Sequence, residues 1–205
     1  MNNGGSMTKS AQAPRPAIFI DRDGTLSHEV GYVNHISRFR LYPWAVEAVR
    51  LINKSGYLAV VATNQAGVAR GYFPESLVRE VHASLDATMQ SGGARIDGIY
   101  YCPHHPSVGE PPYRRDCDCR KPRPGLLRQA EAALGIDLGR SWVVGDRLGD
   151  MRLAWSVGAR GALVRSGYGL GELTYDARSW DRQPDLVADH LLAAVLAILD
   201  AEGRG

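Results

Sequence analysis

The sequence predicts an α/β fold in which a doubly wound parallel sheet carries helices on both faces. Short apolar runs typical of buried strands alternate along the chain with segments of helical periodicity. Glycine and other turn residues separate many of these segments. The chain has 205 residues, a length that favours a single domain with insertions. We therefore expect one domain over residues 17–205, with no large cap.

The first half of the chain begins with a strand at Ala17–Ile20, whose Ile and Phe side chains favour burial. Residues 26–42 lack periodicity and are predicted to form a flap over the end of that strand. A helix follows over residues 43–52, where apolar positions recur at helical spacing as far as a Ser-Gly stop. The second strand is predicted over residues 57–63.

The second half repeats this alternation. The remaining predicted elements are helix 74–89, strand 96–101, helix 125–134, strand 141–144, helix 150–157, strand 162–164, strand 186–188 and helix 190–199. Strands that alternate with helices are joined by right-handed crossovers in a parallel sheet.

Composition excludes several classes of partner. The 24 basic and 22 acidic side chains nearly balance, so we expect no nucleic-acid partner and no membrane surface. We find no apolar stretch long enough to span a bilayer and no signal-peptide pattern, and we expect a soluble cytoplasmic monomer. Residues 1–16 are rich in Gly, Asn, Ser, Ala and Pro and are predicted to be a disordered leader.

Two carboxylates follow the first strand directly. Asp21 and Asp23 are two positions apart, and ligands bind at the carboxyl ends of strands in open parallel sheets. Neighbouring anions repel, so a site that contains both is expected to hold a cation or a proton as well. The alternative is an acidic turn without chemistry.

Other polar residues follow later strands. Thr63, Asn64 and Gln65 end the second strand and can donate hydrogen bonds to a phosphoryl oxygen. Lys121 precedes a Pro-Gly helix start and can neutralise phosphate, while Asp146 ends strand 141–144 with an oxygen ligand suited to Mg²⁺. Singly, these residues can be a helix cap, a surface charge and a turn acid. Their joint occurrence at strand ends favours a phosphate site.

The three cysteines lie close together in a Pro-rich loop. Cys102-x-His104 and Cys117-x-Cys119 supply three sulfurs and an imidazole, the ligand set of a structural Zn²⁺ site. The alternative, reduced thiols with a disulfide, is disfavoured in a cytoplasmic chain. We expect zinc to hold residues 102–119 as a loop that positions Arg120 and Lys121.

The pattern Asp-x-Asp-x-Thr at residues 21–25, with the later motifs in the same order, resembles the haloacid dehalogenase superfamily. The resemblance implies that Asp21 forms an aspartyl-phosphate and that Asp23 is the general acid and base. It implies an Mg²⁺ site made by Asp21, the backbone carbonyl of Asp23 and Asp146, with Asp150 supporting the metal shell. Thr63 and Lys121 would stabilise charge on the transferred group.

The zinc loop narrows the resemblance to the small-capped phosphatases that act on heptose bisphosphate or histidinol phosphate. The resemblance selects His104 over His105 as the zinc ligand. It implies a sugar bisphosphate as substrate and removal of the C7 phosphate of heptose 1,7-bisphosphate, on the route to nucleotide-activated heptose for lipopolysaccharide. Substrate contacts are implied for Glu29, Val30, Gly31, Tyr32, Asn64, Gln65, Ala66, Arg120 and Arg147.

Several alternatives stay open. Residues 31–33 can equally be an ordinary turn. Arg147 stands where heptose phosphatases often carry Lys, and Arg also occurs there in histidinol phosphatases. A histidinol-phosphate phosphatase, a polynucleotide 3′-phosphatase and a non-catalytic zinc-stapled module are the rival functions. The sequence does not select the anomer of the sugar.

Overall fold

The computed structural model describes residues 13–203, so most of the predicted leader, residues 1–12, lies outside the described part of the chain. Six parallel strands form one sheet in the order β3-β2-β1-β4-β5-β6. The strands are β1 (Ala17–Ile20), β2 (Leu58–Asn64), β3 (Gly98–Cys102), β4 (Trp142–Gly145), β5 (Arg160–Val164) and β6 (Leu186–Ala188). The predicted doubly wound parallel sheet is confirmed.

Helices cover both faces of the sheet. They are α1 (Ala45–Lys54), α2 (Glu75–Ser91), α3 (Gly125–Leu134), α4 (Leu148–Ser156), the single turn α5 (Gly169–Gly171) and α6 (Leu191–Ala201). Side chains alternate across a strand, so β1 supplies both halves of the core. Ile18 and Ile20 pack in the cluster that includes α1 and α6, whereas Phe19 packs with residues of α3 and α4.

The strand order has its topological switch at β1. Connections run outward from β1 to β2 and β3 on one side, and through β4 to β6 on the other. Ile20 is in register with Val61 of β2 and Val144 of β4, so the three strands reach the same edge of the sheet, where β2 continues to Asn64. A crevice forms at such a switch point, beyond the carboxyl ends of the strands.

Most element boundaries differ from the predicted ones by one or two residues, and two regions have a physical reason for the difference. Helix α4 begins at Leu148 rather than at residue 150, because Asp150 caps its first turn by accepting the backbone N–H of Arg147 at 3.2 Å. Residues 169–179 form the turn α5, a π-helical turn at Glu172–Asp176 and a 3₁₀ turn at Ala177–Ser179. Sequence analysis missed these turns because the segment has no apolar periodicity.

The predicted flap, residues 26–42, is mostly irregular and contains a short 3₁₀ helix at Ile36–Arg38. Its two ends are tied together by an isolated bridge between Ser27 and Leu41. Among the helices of residues 13–203, none combines the length and the apolar character that a bilayer crossing requires.

Candidate active site

The predicted site residues meet at the switch point of the sheet. Asp21 follows β1, Thr63 lies near the end of β2, and Asp146 follows β4. The backbone N–H of Asp21 donates to the carbonyl of Val144 at 2.9 Å, which extends the β1–β4 ladder to the first acidic residue. The sheet therefore fixes the position of the Asp21 backbone, from which the carboxylate extends.

A cavity of about 430 Å³ opens over these strand ends. Among the predicted substrate contacts, all but Val30 line it. Lining residues that sequence analysis did not assign to the substrate are Val33, Gly67, Gly149, Asp150 and Tyr168. The catalytic candidates Asp21, Asp23, Thr63 and Lys121 line the same cavity.

Lys121 joins two acidic residues at the floor of the cavity. Its Nζ lies 2.6 Å from Asp21 Oδ1 and 2.7 Å from Asp150 Oδ1, and it donates to the carbonyl of Ala62 at 3.0 Å. The Lys121 side chain is only 7% exposed, so this ammonium group is part of the buried site and not a surface charge. Burial opposes its charge, but Asp150 and Asp21 outweigh burial and raise the pKa of Lys121 above its ordinary value.

The side chain of Asn64 fixes the backbone of Lys121. Asn64 Oδ1 accepts the Lys121 N–H at 3.0 Å, and Asn64 Nδ2 donates to the Lys121 carbonyl at 3.2 Å. This reciprocal pair joins the end of β2 to the loop that carries Lys121. The Asn64 amide thus holds the cation-bearing loop, a role that adds to the substrate contact implied for this cavity-lining residue.

Three acidic residues surround this single ammonium group. Asp21, Asp146 and Asp150 each offer a carboxylate oxygen, and these oxygens lie within 4.8 Å of one another. Burial raises the pKa of Asp21 to about 7, with Lys121 opposing the shift, and raises the pKa of Asp146 to about 8. Buried carboxylates with raised pKa values are typical of a functional site that binds a cation.

The donor set fits Mg²⁺, a hard cation that prefers one or two carboxylates together with waters. Two glycines provide space around Asp146, since a Cβ on Gly24 or Gly167 would lie 2.2 or 2.1 Å from its Oδ2. The backbone N–H of Tyr168 donates to the same oxygen at 2.8 Å. Asp146 is therefore oriented by its surroundings before any ion binds.

Asp23 is held separately from this cluster. Arg22 donates to both carboxylate oxygens at 3.0 and 2.6 Å, Gln65 donates at 2.9 Å and Ser27 at 3.3 Å. Burial alone favours the neutral acid, but the Arg22 charge and the three donors prevail and lower the pKa of Asp23 overall. The Gln65 amide also donates to Thr63 Oγ1 at 2.9 Å, so one side chain contacts both predicted catalytic residues.

The cysteine loop brings its four predicted ligands together. The Sγ of Cys117 lies 3.6 Å from that of Cys102 and 3.3 Å from that of Cys119, and His104 Nδ1 lies 3.3 Å from Cys119 Sγ. Zn–S bonds of about 2.3 Å in a tetrahedron place sulfurs about 3.8 Å apart. The spacing fits a shared metal ion, and it is far longer than a disulfide bond of about 2 Å.

His105 lies outside this ligand cluster. Its Nδ1 accepts backbone N–H groups of Ser107 and Val108, each at 3.2 Å, and its Nε2 lies 3.3 Å from Arg70. His104 contributes further through its carbonyl, which accepts from Arg120 at 3.2 Å. The cysteine loop therefore contacts a cavity-lining arginine directly.

Aromatic residues border the mouth of the cavity. The guanidinium carbon of Arg147 lies 3.7 Å from the centre of the Tyr168 ring, and Glu172 lies 3.9 Å from the same guanidinium. Tyr32 of the flap also lines the cavity and packs edge-on against Tyr72, with ring centres 4.8 Å apart. Nothing in the sequence pattern marks Tyr168, because its segment has no regular periodicity.

Comparisons with known proteins agree with this geometry. Residues 118–194 match the HAD-hydrolase-like protein family. The D-glycero-beta-D-manno-heptose-1,7-bisphosphate 7-phosphatase of Photorhabdus laumondii is 44% identical over 154 residues, which cover 74% of this chain and 81% of that protein. The enzyme of the same name from Escherichia coli strain K12 is 42% identical over 167 residues, covering 80% and 87% of the two chains.

A solved structure gives the same result. The crystal structure of D,D-heptose 1,7-bisphosphate phosphatase from B. bronchiseptica, complexed with magnesium and phosphate, superposes with a TM-score of 0.79. It is 28% identical and covers 91% of this chain and 99% of its own. The similarity thus extends beyond the catalytic motifs to nearly the whole described fold.

Proposed function

The chain belongs to the D-glycero-β-D-manno-heptose-1,7-bisphosphate 7-phosphatase family of haloacid dehalogenase-like hydrolases, and from this premise we propose that it removes the C7 phosphate of that sugar bisphosphate. The product is heptose 1-phosphate, a step on the way to nucleotide-activated heptose. One observation carries the proposal: Lys121 bridges Asp21 and Asp150 beside Asp146, in a cavity that Asp23 also lines.

In the first half of the reaction, a carboxylate oxygen of Asp21 attacks phosphorus, and the bond between phosphorus and the C7 oxygen breaks. Asp23 donates a proton to that leaving oxygen, and it must enter this step protonated although its donors lower its pKa. The negative charge of the bound phosphoryl group would raise that pKa. Lys121 and the Thr63 hydroxyl stabilise the charge that develops on the transferred group. The acyl phosphate then links Asp21 to the phosphoryl group.

In the second half, Asp23 takes a proton from the water that attacks the same phosphorus. The bond between Asp21 and phosphorus breaks, inorganic phosphate leaves, and both acids return to their starting states. Asp21, the Asp23 carbonyl and Asp146 would hold Mg²⁺, which neutralises phosphoryl charge when bound. Asp150 would hold Lys121 in place and support the metal shell.

Charge at the mouth of the cavity supports a bisphosphate over a monophosphate. Arg120 and Arg147 both line the cavity, and neither belongs to the Asp21–Lys121 cluster. Arg120 is held by the His104 carbonyl and Arg147 by the Tyr168 ring, so both cations are oriented before the substrate binds. We assign them to the distal C1 phosphate, because guanidinium groups bind phosphate through two donors.

We further propose that the cysteine loop holds one structural Zn²⁺ through Cys102, His104, Cys117 and Cys119. The spacing of these ligand atoms supports this site. We also propose a monomer that works in the cytoplasm, where reduced cysteines persist.

Phosphate release from purified protein tests the proposed activity. Substrates are the β and α anomers of heptose 1,7-bisphosphate, histidinol phosphate and a 3′-phosphorylated oligonucleotide, with Asp21→Asn as the inactive control. We expect the β anomer to have the highest kcat/KM, since the curated relatives carry β in their names. Faster release from histidinol phosphate would reject the sugar assignment, and full activity of Asp21→Asn would reject the covalent step.

A further inference from the structure

Arg22 stands between the two motif acids and has no part in the functions assigned above. Its side chain is 1% exposed and ranks among the largest fully buried groups of the described chain. Arg22 is not among the residues that line the cavity, so it does not contact the substrate. A buried guanidinium is costly unless it is paired and hydrogen-bonded, and its partners therefore indicate its role.

Arg22 forms a bidentate ion pair, a fork of two hydrogen bonds, with the carboxylate of Asp23. Nε donates to Oδ1 at 3.0 Å, and Nη2 donates to Oδ2 at 2.6 Å. Two parallel hydrogen bonds fix the plane of a carboxylate as well as its position. Within residues 13–203, Asp23 is the one acidic side chain recorded in an ion pair with Arg22.

The guanidinium nitrogen that does not contact Asp23 lies against His82 of α2. Nη1 of Arg22 lies 3.3 Å from His82 Nε2, and the histidine is 8% exposed. A guanidinium has donors only, so Nε2 accepts here and the imidazole is neutral. The ring of Phe39 lies 5.8 Å from the guanidinium carbon on another side. Arg22 is thus fixed by a neutral acceptor behind it and presents its charge to Asp23.

We propose that Arg22 is a positioning residue that fixes the orientation of the Asp23 carboxyl toward the leaving oxygen, and that His82 holds Arg22 for this task. This proposal rests on the role given to Asp23 above. Ser27 and Gln65 add donors to the same carboxylate, whose side chain remains 22% exposed and lines the cavity. Each oxygen of this carboxylate accepts two hydrogen bonds, so the Arg22 fork fixes its plane. A bound leaving group would take the place of the Gln65 donor, which lines the cavity, for proton transfer.

A purely structural ion pair would have different kinetic consequences. Loss of stability or general distortion lowers turnover of every substrate alike. Loss of orientation at Asp23 slows the first half of the reaction only where the leaving oxygen needs a proton, whereas the second half, in which Asp23 activates water, is the same for every substrate. Phenyl phosphate has a poor leaving group and needs this proton, whereas p-nitrophenyl phosphate has a good one and needs it much less.

The test compares Arg22→Lys, which retains the charge but lacks the fork, with the parent protein on these two aryl phosphates at saturating Mg²⁺. General acid catalysis contributes about 10²–10⁴-fold, so we expect the rate of phenol release in the first turnover, which measures the first half of the reaction alone, to fall about 10–100-fold. We expect the rate of p-nitrophenol release in the first turnover to fall by less than about threefold. Steady-state kcat falls on both substrates wherever hydrolysis of the aspartyl-phosphate limits it, so it is not the measure used. Asp23→Asn shows the loss that follows when the general acid itself is absent. Arg79→Lys on the exposed face of α2 is the matched control.

His82→Leu is the second variant, and it decides the question if Arg22→Lys does not fold. It removes the acceptor behind the guanidinium. It should slow first-turnover release from phenyl phosphate more than from p-nitrophenyl phosphate, by a smaller factor than Arg22→Lys does. Equal loss of first-turnover release from both substrates, or no loss on either, in the variant that folds overturns the proposal. A parent protein that hydrolyses aryl phosphates but not heptose bisphosphate refutes the proposed sugar substrate, while the ratio of the two aryl phosphates still decides the role of Arg22.

Discussion

Replacement of Lys121 by Met tests the charge balance of the site most directly. Met has a similar length and removes only the ammonium group, which ion-pairs with Asp21 and Asp150 at 2.6 and 2.7 Å. In the variant, the carboxylates of Asp21, Asp146 and Asp150 face one another without the lysine. We expect the Mg²⁺-free variant to be strongly destabilised and its turnover to fall about 10²–10³-fold.

The size of the stability loss follows from burial. Because the Lys121 side chain is only 7% exposed, solvent screens these pairs little, and removal of one partner from a buried ion pair costs about 3–5 kcal/mol. In a chain of this size, 1 kcal/mol corresponds to about 2–4 °C in the melting temperature. The expected drop is therefore about 6–20 °C without Mg²⁺. Saturating Mg²⁺ should reduce the difference in melting temperature between parent and variant, because a dication offsets the charge of the unpaired carboxylates.

Thermal denaturation of parent and variant, with and without Mg²⁺, measures both effects. Mg²⁺ is omitted by dialysis and not removed by a chelator, so that any zinc is retained. Lys54→Met is the matched control, since Lys54 is an exposed lysine at the end of α1. The reasoning fails if Lys121→Met melts within about 2 °C of Lys54→Met, which is less than 1 kcal/mol in a chain of this size.

Three further predictions concern the metal sites. Gly167→Ala should raise the Mg²⁺ concentration for half-maximal activity at least about 10-fold, because the new Cβ would lie 2.1 Å from Asp146 Oδ2. The control is Gly171→Ala, which has open space around its Cβ and should leave that Mg²⁺ concentration unchanged. Cys117→Ser should reduce bound zinc from about one equivalent to a small fraction of that by metal analysis, and a variant that retains its zinc would contradict the ligand assignment. Burial raises the pKa of Asp21 to about 7 and that of Asp146 to about 8, so the native state retains protons that the unfolded chain has released. The free energy of unfolding, measured by urea denaturation without Mg²⁺, should therefore fall as pH rises from about 5 to about 8. A flat pH profile would count against the buried acidic cluster.

The positions of the acidic residues were predictable because strand ends converge. A parallel sheet with β1 next to β4 brings Asp21 and Asp146 to one crevice, although the two residues are far apart in sequence. Apolar runs were sufficient to find every strand to within a few residues. The roles assigned to individual site residues stay predictions, as does the domain boundary at residue 17.

Contacts that depend on side-chain direction were less predictable. Asn64 lines the cavity as a substrate contact would, but the hydrogen bonds of its amide to the Lys121 backbone, 57 positions away in sequence, were not predicted. Asp150 follows Asp146 by one helical turn, a spacing that signals proximity, yet its ion pair with Lys121 required the fold. Tyr168 left no sequence signal, because its stacking on Arg147 depends on turns without apolar periodicity.

Arg120 alone separates Cys119 from Lys121 along the chain, and this short distance exposes the phosphatase to thiol chemistry. An alkylating reagent or an oxidant that modifies the sulfurs would displace the segment that delivers the ammonium group to Asp21, although no cysteine lines the main cavity among the described residues. Saturating substrate would give little protection, since the modified atoms lie outside its binding surface. Electrophiles aimed at this loop therefore offer a route to inhibitors that do not have to mimic a sugar phosphate.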